Sequence, residues 1–239
     1  MRAASRRGAD ILALQEVESE RALAALRDRH LAGLGYQYLV FVPQPEAATG
    51  VAFLSRVPVH STRAHAVGEF AGSPLRYIVE VQLEVGGRRL YLLNNHWKSK
   101  TEGVAETAAA RRLSAGVLAR RVRELLAEDP AVELVALGDF NENVEELAAW
   151  AGETGLVDLW GELPDTERGS AAFGGSWQTP DHVLLAPGLF DERGFSYRAG
   201  GFRVVRRDFL LERVTGFPRR FDLGGVSDHL PLLLRLRQP

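Results

Sequence analysis

Five residues, Leu137-Gly138-Asp139-Phe140-Asn141, constrain this chain more than any other stretch. They follow an apolar run, Val132 to Leu137, that reads as a buried strand. Gly138 breaks the run and lets the backbone turn, so Asp139 and Asn141 emerge at the strand's C-terminal end. A period of two points both side chains the same way. A carboxylate and an amide side by side at a strand end suit a hard cation and a phosphate oxygen. Taken alone, the same segment reads equally well as a solvated turn, because Gly, Asp and Asn dominate turns for local backbone reasons. The rest of the chain has to decide.

With 239 residues the chain is long enough to bury a large core as a single domain. A hydrophobic share of 46% and a charged share of 25% are ordinary for a globular protein. The net charge of -2 argues against holding a polyanion by overall charge alone. Local basic pairs remain at Arg111-Arg112, Arg120-Arg121, Arg206-Arg207 and Arg219-Arg220. There is no cysteine, which removes disulfides, thiolate nucleophiles and cysteine-based zinc sites. Any metal must be held by Asp, Glu, Asn or His, which favours Mg²⁺, Mn²⁺ or Ca²⁺. No apolar run approaches the ~18 residues of a membrane span. The basic start, Met1-Arg-Ala-Ala-Ser-Arg-Arg7, lacks the apolar core of a signal peptide, so the chain as given reads as cytoplasmic. A secretion signal upstream of Met1 would change that reading.

Strands and helices alternate without a repeat or long linker. Ile11 to Leu14 is a short strand ending in Gln15-Glu16, and Ser19 caps a helix running to about His30. Tyr36 to Val42 and Gly50 to Arg56 read as strands. Arg76 to Val85 turns at Gly86-Gly87 into Leu90 to Asn94, a hairpin signal. Thr101 to Glu128 is a long Ala- and Arg-rich helix stopped by Pro130. A helix around Glu145 to Ala151 follows, then the apolar segment Leu156 to Trp160. Val183 to Leu185 and Leu230 to Leu236 read as late strands, and Asp165 to Ser176 as a surface loop. The pattern predicts one domain over residues 1–239, with two sheets face to face and helices outside.

Five of these strands carry an acid, amide or histidine at one end. Glu16 ends the first; Asn95 and His96 end Leu-Tyr-Leu-Leu-Asn-Asn-His; Asp139 and Asn141 end the central one. Asp181 precedes Val-Leu-Leu, and Asp228-His229 precede Leu-Pro-Leu-Leu-Leu. If those ends share a rim, they form one acidic cleft.

In this respect the chain resembles the endonuclease/exonuclease/phosphatase superfamily, the fold of pancreatic deoxyribonuclease and apurinic endonuclease. The matching segments are Asp10-Ile-Leu-Ala-Leu-Gln-Glu16, Gly50-Val-Ala-Phe-Leu-Ser-Arg56, Asn95-His-Trp-Lys-Ser-Lys100, Gly138-Asp-Phe-Asn141, Asp181-His-Val-Leu-Leu185 and Ser227-Asp-His-Leu-Pro231. They occur in the family's order over nearly the whole chain. The resemblance implies a four-layered α/β sandwich with two central, mostly antiparallel sheets flanked by helices. It also implies a Mg²⁺- or Mn²⁺-dependent phosphoesterase. In that scheme Glu16 ligates the ion and Asp228 sits at or near it. Asp139 orients or deprotonates the attacking water, and Asn141 holds the phosphate. His229 contacts the scissile phosphate, as general acid/base or electrostatic clamp, with Asp181 bonded to its other ring nitrogen, and His96 takes the second histidine place, positioned to protonate the leaving oxygen.

Members of the family begin with a strand ending Trp-Asn, whose asparagine joins the site. The resemblance here starts one strand later, so the expected domain lacks that element. Other polar residues have ordinary readings. Lys98 and Lys100 either clamp phosphate or are solvated. His182 points to the opposite face from Asp181 and reads as packing or surface rather than catalytic. His30, His60 and His65 read as surface residues, and Arg111 and Arg112 as a solvated helix face. Phe173, Trp177 and Phe221 lie in loops expected to rim the cleft. The first functional expectation is a phosphodiesterase on nucleic acid or a nucleotide-like diester. Alternatives are a phosphomonoesterase on a small phosphorylated molecule, or a non-catalytic relative that binds a phosphorylated ligand.

Overall fold

The computed structural model describes residues 8–219 and 224–238. The Met1–Arg7 segment, Arg220 and Phe221 lie outside the described residues. The elements are β1 (Ile11–Val17), α1 (Glu20–Ala25), β2 (Tyr38–Pro43), β3 (Gly50–Ser55), β4 (Val59–His65), β5 (Glu69–Phe70), β6 (Ser73–Pro74), β7 (Ile78–Val85) and β8 (Arg88–His96). There follow α2 (Val104–Glu128), β9 (Glu133–Asp139), α3 (Val144–Thr154), β10 (Val157–Asp158), β11 (Ala171–Phe173), β12 (Ser176–Gln178), β13 (Asp181–Leu185), β14 (Ser196–Val204) and β15 (Leu232–Arg237).

The central sheet has six strands in the order β10-β13-β9-β8-β7-β4. Its β7–β8 pair is the predicted Gly86-Gly87 hairpin. The β8–β9 pair is parallel, and a parallel pair needs a long crossover, which α2 supplies. The strand β9 is apolar on both faces because it is covered on both. Leu134 and Ala136 face the helices α2 and α3 through Leu118, Val122, Leu125 and Leu147. Val135 and Leu137 face a second β layer. That layer consists of the sheet β1-β3-β2 and the ribbon β14–β15. Against its outer side lies α1, through Leu23, with Ala52 and Leu54 of β3 beneath it. Helix, sheet, sheet, helix: the expected four layers are present.

Within the second layer β1 lies over β8 and β9, and β15 lies over β13. Among the described residues no strand pairs with the second edge of β1 or of β15. Ile11 and Ala13 of β1, Leu232 and Leu234 of β15, and Leu137 beneath are correspondingly only part-buried.

Local sequence signals explain most elements. Ser19 caps α1 by accepting from the Ala22 amide at 3.1 Å, and the helix widens into a π-type turn over Leu26–His30. Asn143 and Glu146 form a capping box at α3, and Gly155 ends it in the left-handed conformation. Besides the short β5, β6, β11 and β12, two long strands were not anticipated, β4 and β14, both rich in polar and charged residues. The segment Asp165–Ser176, expected as a loop, contains a short 3₁₀ turn at Asp165–Glu167 and the strand β11.

Two readings of single residues need correction. His65 is not a surface residue: its Nε2 lies 2.8 Å from the buried Glu80 carboxylate. Arg121 meets the same carboxylate through Nε at 2.7 Å and Nη2 at 3.0 Å, tying α2 to the sheet. Arg111 is likewise no solvated helix residue, being 2% exposed and bonded to Glu142 at 2.6 Å.

Burial disfavours the Glu80 charge, but the bonds from His65 and Arg121 outweigh it and hold the carboxyl down to about 2. A depressed acid adds stability above its unfolded value of ~4.3, and that stability is lost as pH falls through the folded value. Glu80→Gln is therefore expected to lower unfolding stability by about 3 kcal/mol at neutral pH, since it removes the buried carboxylate that His65 and Arg121 share. Urea titrations should also show a shallower acid loss between pH ~4.5 and ~2 in the variant than in the parent.

Candidate active site

Strand register builds the site. In the parallel pair β8–β9, Asn95 aligns with Gly138 and His96 with Asp139. In the antiparallel pair β9–β13, Asp139 aligns with Asp181. Three adjacent strand ends thus place His96, Asp139 and Asp181 in one row, at the strand spacing of ~4.8 Å. The Asp228-His229 segment joins the row through an isolated bridge between Ala171 and His229. The β1 sheet, packed above β8 and β9, brings Glu16 to the same rim.

Gly138 is required here. Its φ is +119°, and an added Cβ would press into the Asn95 carbonyl oxygen while lying 2.8 Å from the Asn95 nitrogen and 2.9 Å from Asn94 Oδ1. The close approach lets Asn95 cross the strand pair: its Nδ2 donates to the Leu93 and Leu137 carbonyls, and its Oδ1 accepts from Trp97 Nε1. Trp97 in turn packs 4.7 Å from Phe140, closing the floor beneath Asp139 and Asn141.

Asn141 turns back on its neighbour. Its backbone amide donates to Asp139 Oδ1 at 2.8 Å, and its Nδ2 donates to Asp139 Oδ2 and to the Trp97 carbonyl, each at 3.1 Å. The predicted Asp–Asn pair is therefore one hydrogen-bonded unit. His229 Nδ1 lies 2.8 Å from Asp181 Oδ2, and Ser170 Oγ donates to the same oxygen at 2.6 Å. His96 Nε2 lies 3.6 Å from Glu16 Oε1 and 3.8 Å from Asp139 Oδ2.

The electrostatics separate the two histidines. Burial disfavours the charged form of His229, but the Asp181 carboxylate outweighs burial, helped by Asp139 and Asp228, and pushes it up to about 10. His96 is held down to about 3 by burial, then by the charges of Arg76 and His229. At neutral pH one ring is an imidazolium and the other is neutral. Burial and the neighbouring Asp181 carboxylate push Asp139 up to about 7. Groups driven apart in this way are candidates for acid and base roles.

Arg76 was not anticipated. It sits just before β7, whose N-terminal end adjoins the end of β8, and its Nη1 donates to the Trp97 carbonyl at 2.9 Å. Burial lowers its affinity for the proton, while Glu16 and Asp139 raise it. The available signal was its place at a strand end on the same rim. Gln15 was overlooked as well: its Nε2 donates to Asn94 Oδ1 at 2.5 Å, so the residue beside Glu16 is tied to β8. Lys98 pairs with Glu102 at 2.5 Å, and Lys100 pairs with Glu142 at 2.8 Å and with Glu146. Phe173 is 82% exposed, whereas Trp177 packs on Phe217 at 5.2 Å beneath Arg206.

The oxygen donors suit a hard cation. Among the described residues no three His, Asp or Glu side chains gather closely enough to cage an ion. Mg²⁺ commonly takes one or two carboxylates, with water and phosphate oxygens for the rest. Glu16, with a side chain 69% exposed at the rim, fits that light ligation, and Asp228 is exposed beside His229.

Two outcomes are expected. Gly138→Ala should cost about 3 kcal/mol in urea unfolding, because its Cβ meets backbone rather than a movable side chain. Asp181→Asn should bring the His229 midpoint from about 10 down toward the ordinary imidazole value of ~6.5 in an NMR titration.

Known proteins share this arrangement of elements. The sequence matches the Endonuclease/Exonuclease/phosphatase family over residues 2–238. No curated protein sequence matches the chain. The fold is similar to that of truncated Caenorhabditis elegans TDP2, with a TM-score of 0.67 and 20% identity over 96% of this chain and 86% of that one. It is similar to D. rerio TDP2 complexed with single strand DNA product, with a TM-score of 0.65 and 15% identity over 96% and 86%. It is also similar to sphingomyelinase C from Streptomyces griseocarneus, with a TM-score of 0.62 and 22% identity over 96% and 88%. The segments shared in order, the four layers and the family match agree: this chain belongs to the endonuclease/exonuclease/phosphatase family.

Proposed function

We propose that this protein is a divalent-cation-dependent phosphodiesterase acting on nucleic acid or a nucleotide-like diester. The observation that carries the reading is the pair of histidines held in opposite protonation states on either side of Asp139. Glu16 and Asp228 would hold Mg²⁺ or Mn²⁺, which when bound supplies positive charge to a phosphate oxygen. Asn141 would hold the phosphate by turning one Nδ2 hydrogen from Asp139 toward it. Asp139, poised near neutral pH, orients the water and takes its proton as the new oxygen–phosphorus bond forms. His229, kept charged by Asp181, faces the phosphate and gives a proton to the leaving oxygen as its bond to phosphorus breaks. His96, neutral and buried, serves as a hydrogen-bonding wall rather than the acid.

The D. rerio TDP2 complex with single strand DNA product supports nucleic acid as the first substrate panel. A phosphomonoester is the second reading, favoured by Arg76, whose charge faces Glu16 and Asp139 and could meet an extra phosphate charge.

The test is turnover of bis(p-nitrophenyl) phosphate beside p-nitrophenyl phosphate, with Mg²⁺ or Mn²⁺. Diester turnover should vanish with chelator and fall by about 10²–10⁴-fold in Asp139→Asn. Faster turnover of the monoester would favour the second reading. Turnover of neither, with metal present, would support a binding relative instead.

A further inference from the structure

The strand β13 begins with two polar residues, Asp181 and His182, that point to opposite faces. Asp181 turns to the cleft. His182 turns inward, is 0% exposed, and meets the Phe140 ring edge-on at 5.4 Å. Its Nδ1 lies 2.7 Å from Asp158 Oδ2, and its Nε2 lies 2.9 Å from the Glu142 carbonyl oxygen. Both partners are acceptors only. A neutral imidazole carries one N–H and can satisfy one of them; serving both takes the imidazolium. Burial opposes that charge, while Asp158, the Glu142 carbonyl and the nearby Asp181 favour it, and the ring is raised above its ordinary value. The charged groups around it are otherwise engaged: the Glu142 carboxylate is taken by Arg111 at 2.6 Å and Lys100 at 2.8 Å.

Glu142 follows Asn141, whose φ of +51° is uncommon for a residue other than glycine. The turn that carries Asn141 is therefore held from behind at several points. The Phe140 amide donates to the Pro180 carbonyl at 2.8 Å, and Asn143 exchanges bonds with Gln178 and Thr179. His182 holds the Glu142 carbonyl, one residue past Asn141, and Asp158 holds His182 from β10.

We propose that His182, held by Asp158, is a positioning residue that locks the Asp139–Asn141 turn in the geometry that meets phosphate. The role in turnover rests on the phosphodiesterase reading above; the lock itself does not. A misplacement of ~1 Å by a mutation away from the chemistry costs up to about 10²-fold in activity. Asp158→Asn and His182→Gln are expected to lower kcat on bis(p-nitrophenyl) phosphate by about 10–100-fold while KM changes by less than ~2-fold. Glu80→Gln, remote from the turn, is the stability control: it should weaken folding and leave kcat alone.

Two readouts need no turnover. A ¹⁵N imidazole spectrum of the parent at pH ~7.5 should show both His182 nitrogens protonated, where an ordinary histidine is mostly neutral. The Asn141 side-chain amide resonance should move in Asp158→Asn. A singly protonated His182 ring, or an Asn141 resonance unmoved in a folded Asp158→Asn variant, would overturn the lock. Unchanged kcat in that variant would overturn its part in turnover. A parent with no turnover but with both NMR signatures would count against the phosphodiesterase reading and leave the lock standing.

Discussion

Everything at the cleft depends on one parallel strand pair, β8 beside β9. The pair sets His96 against Asp139 and Asn95 against Gly138, and β13 extends the same row to Asp181. A sheet fixes such neighbours to within its hydrogen-bond spacing, without help from long flexible side chains. The groups are therefore close enough to alter one another's charge before any substrate arrives. Asp181 keeps His229 charged, His229 and Arg76 help keep His96 neutral, and Asp181 burdens Asp139 with a second negative charge. Slipping β9 by one residue would turn Asp139 to the wrong face, away from His96 and Asp181.

Around that row the polar network is layered. Asn95, Asn141 and Trp97 lace the strand ends together within the cleft floor. Behind them, the buried Arg111 bonds the part-exposed Glu142 carboxylate, and the buried His182 meets the Glu142 carbonyl. Each buried cation has an acid or carbonyl partner, as buried charges require. The cleft keeps its exposed charge for the rim, where Glu16 and Asp228 stand.

Much of this was legible from residues alone. Glu16, His96, Asp139, Asn141, Asp181 and His229 were picked out as polar groups ending apolar strands, and the structure gathers them at one rim. Period-two and period-3.6 patterns located the strands and helices whose one face is apolar. Legibility failed where polar residues are buried in pairs. Arg111 and His65 read as solvated because the acids that bury them, Glu142 and Glu80, lie at least 15 residues away in sequence. Arg76 and Gln15 escaped for a related reason: a single polar residue next to a strand is common, and only the packing of β1 and β7 onto the rim gives it a role. The strands β4 and β14 were missed because an edge-lying, polar-rich strand resembles a loop in composition.

Glu16 and Asn141 share one further trait. Both sit in the left-handed backbone region, with φ of +56° and +51°. Such a conformation costs a residue other than glycine about 1–3 kcal/mol unless its surroundings impose it. Glycine would relieve the strain at either position, and would remove the carboxylate or the amide with it. Mutational drift toward a sturdier fold would thus act on these two side chains, as on Glu46, Ala71 and Glu192. Robustness and chemistry are opposed at two residues, and a thermostabilising screen blind to activity would be drawn to both.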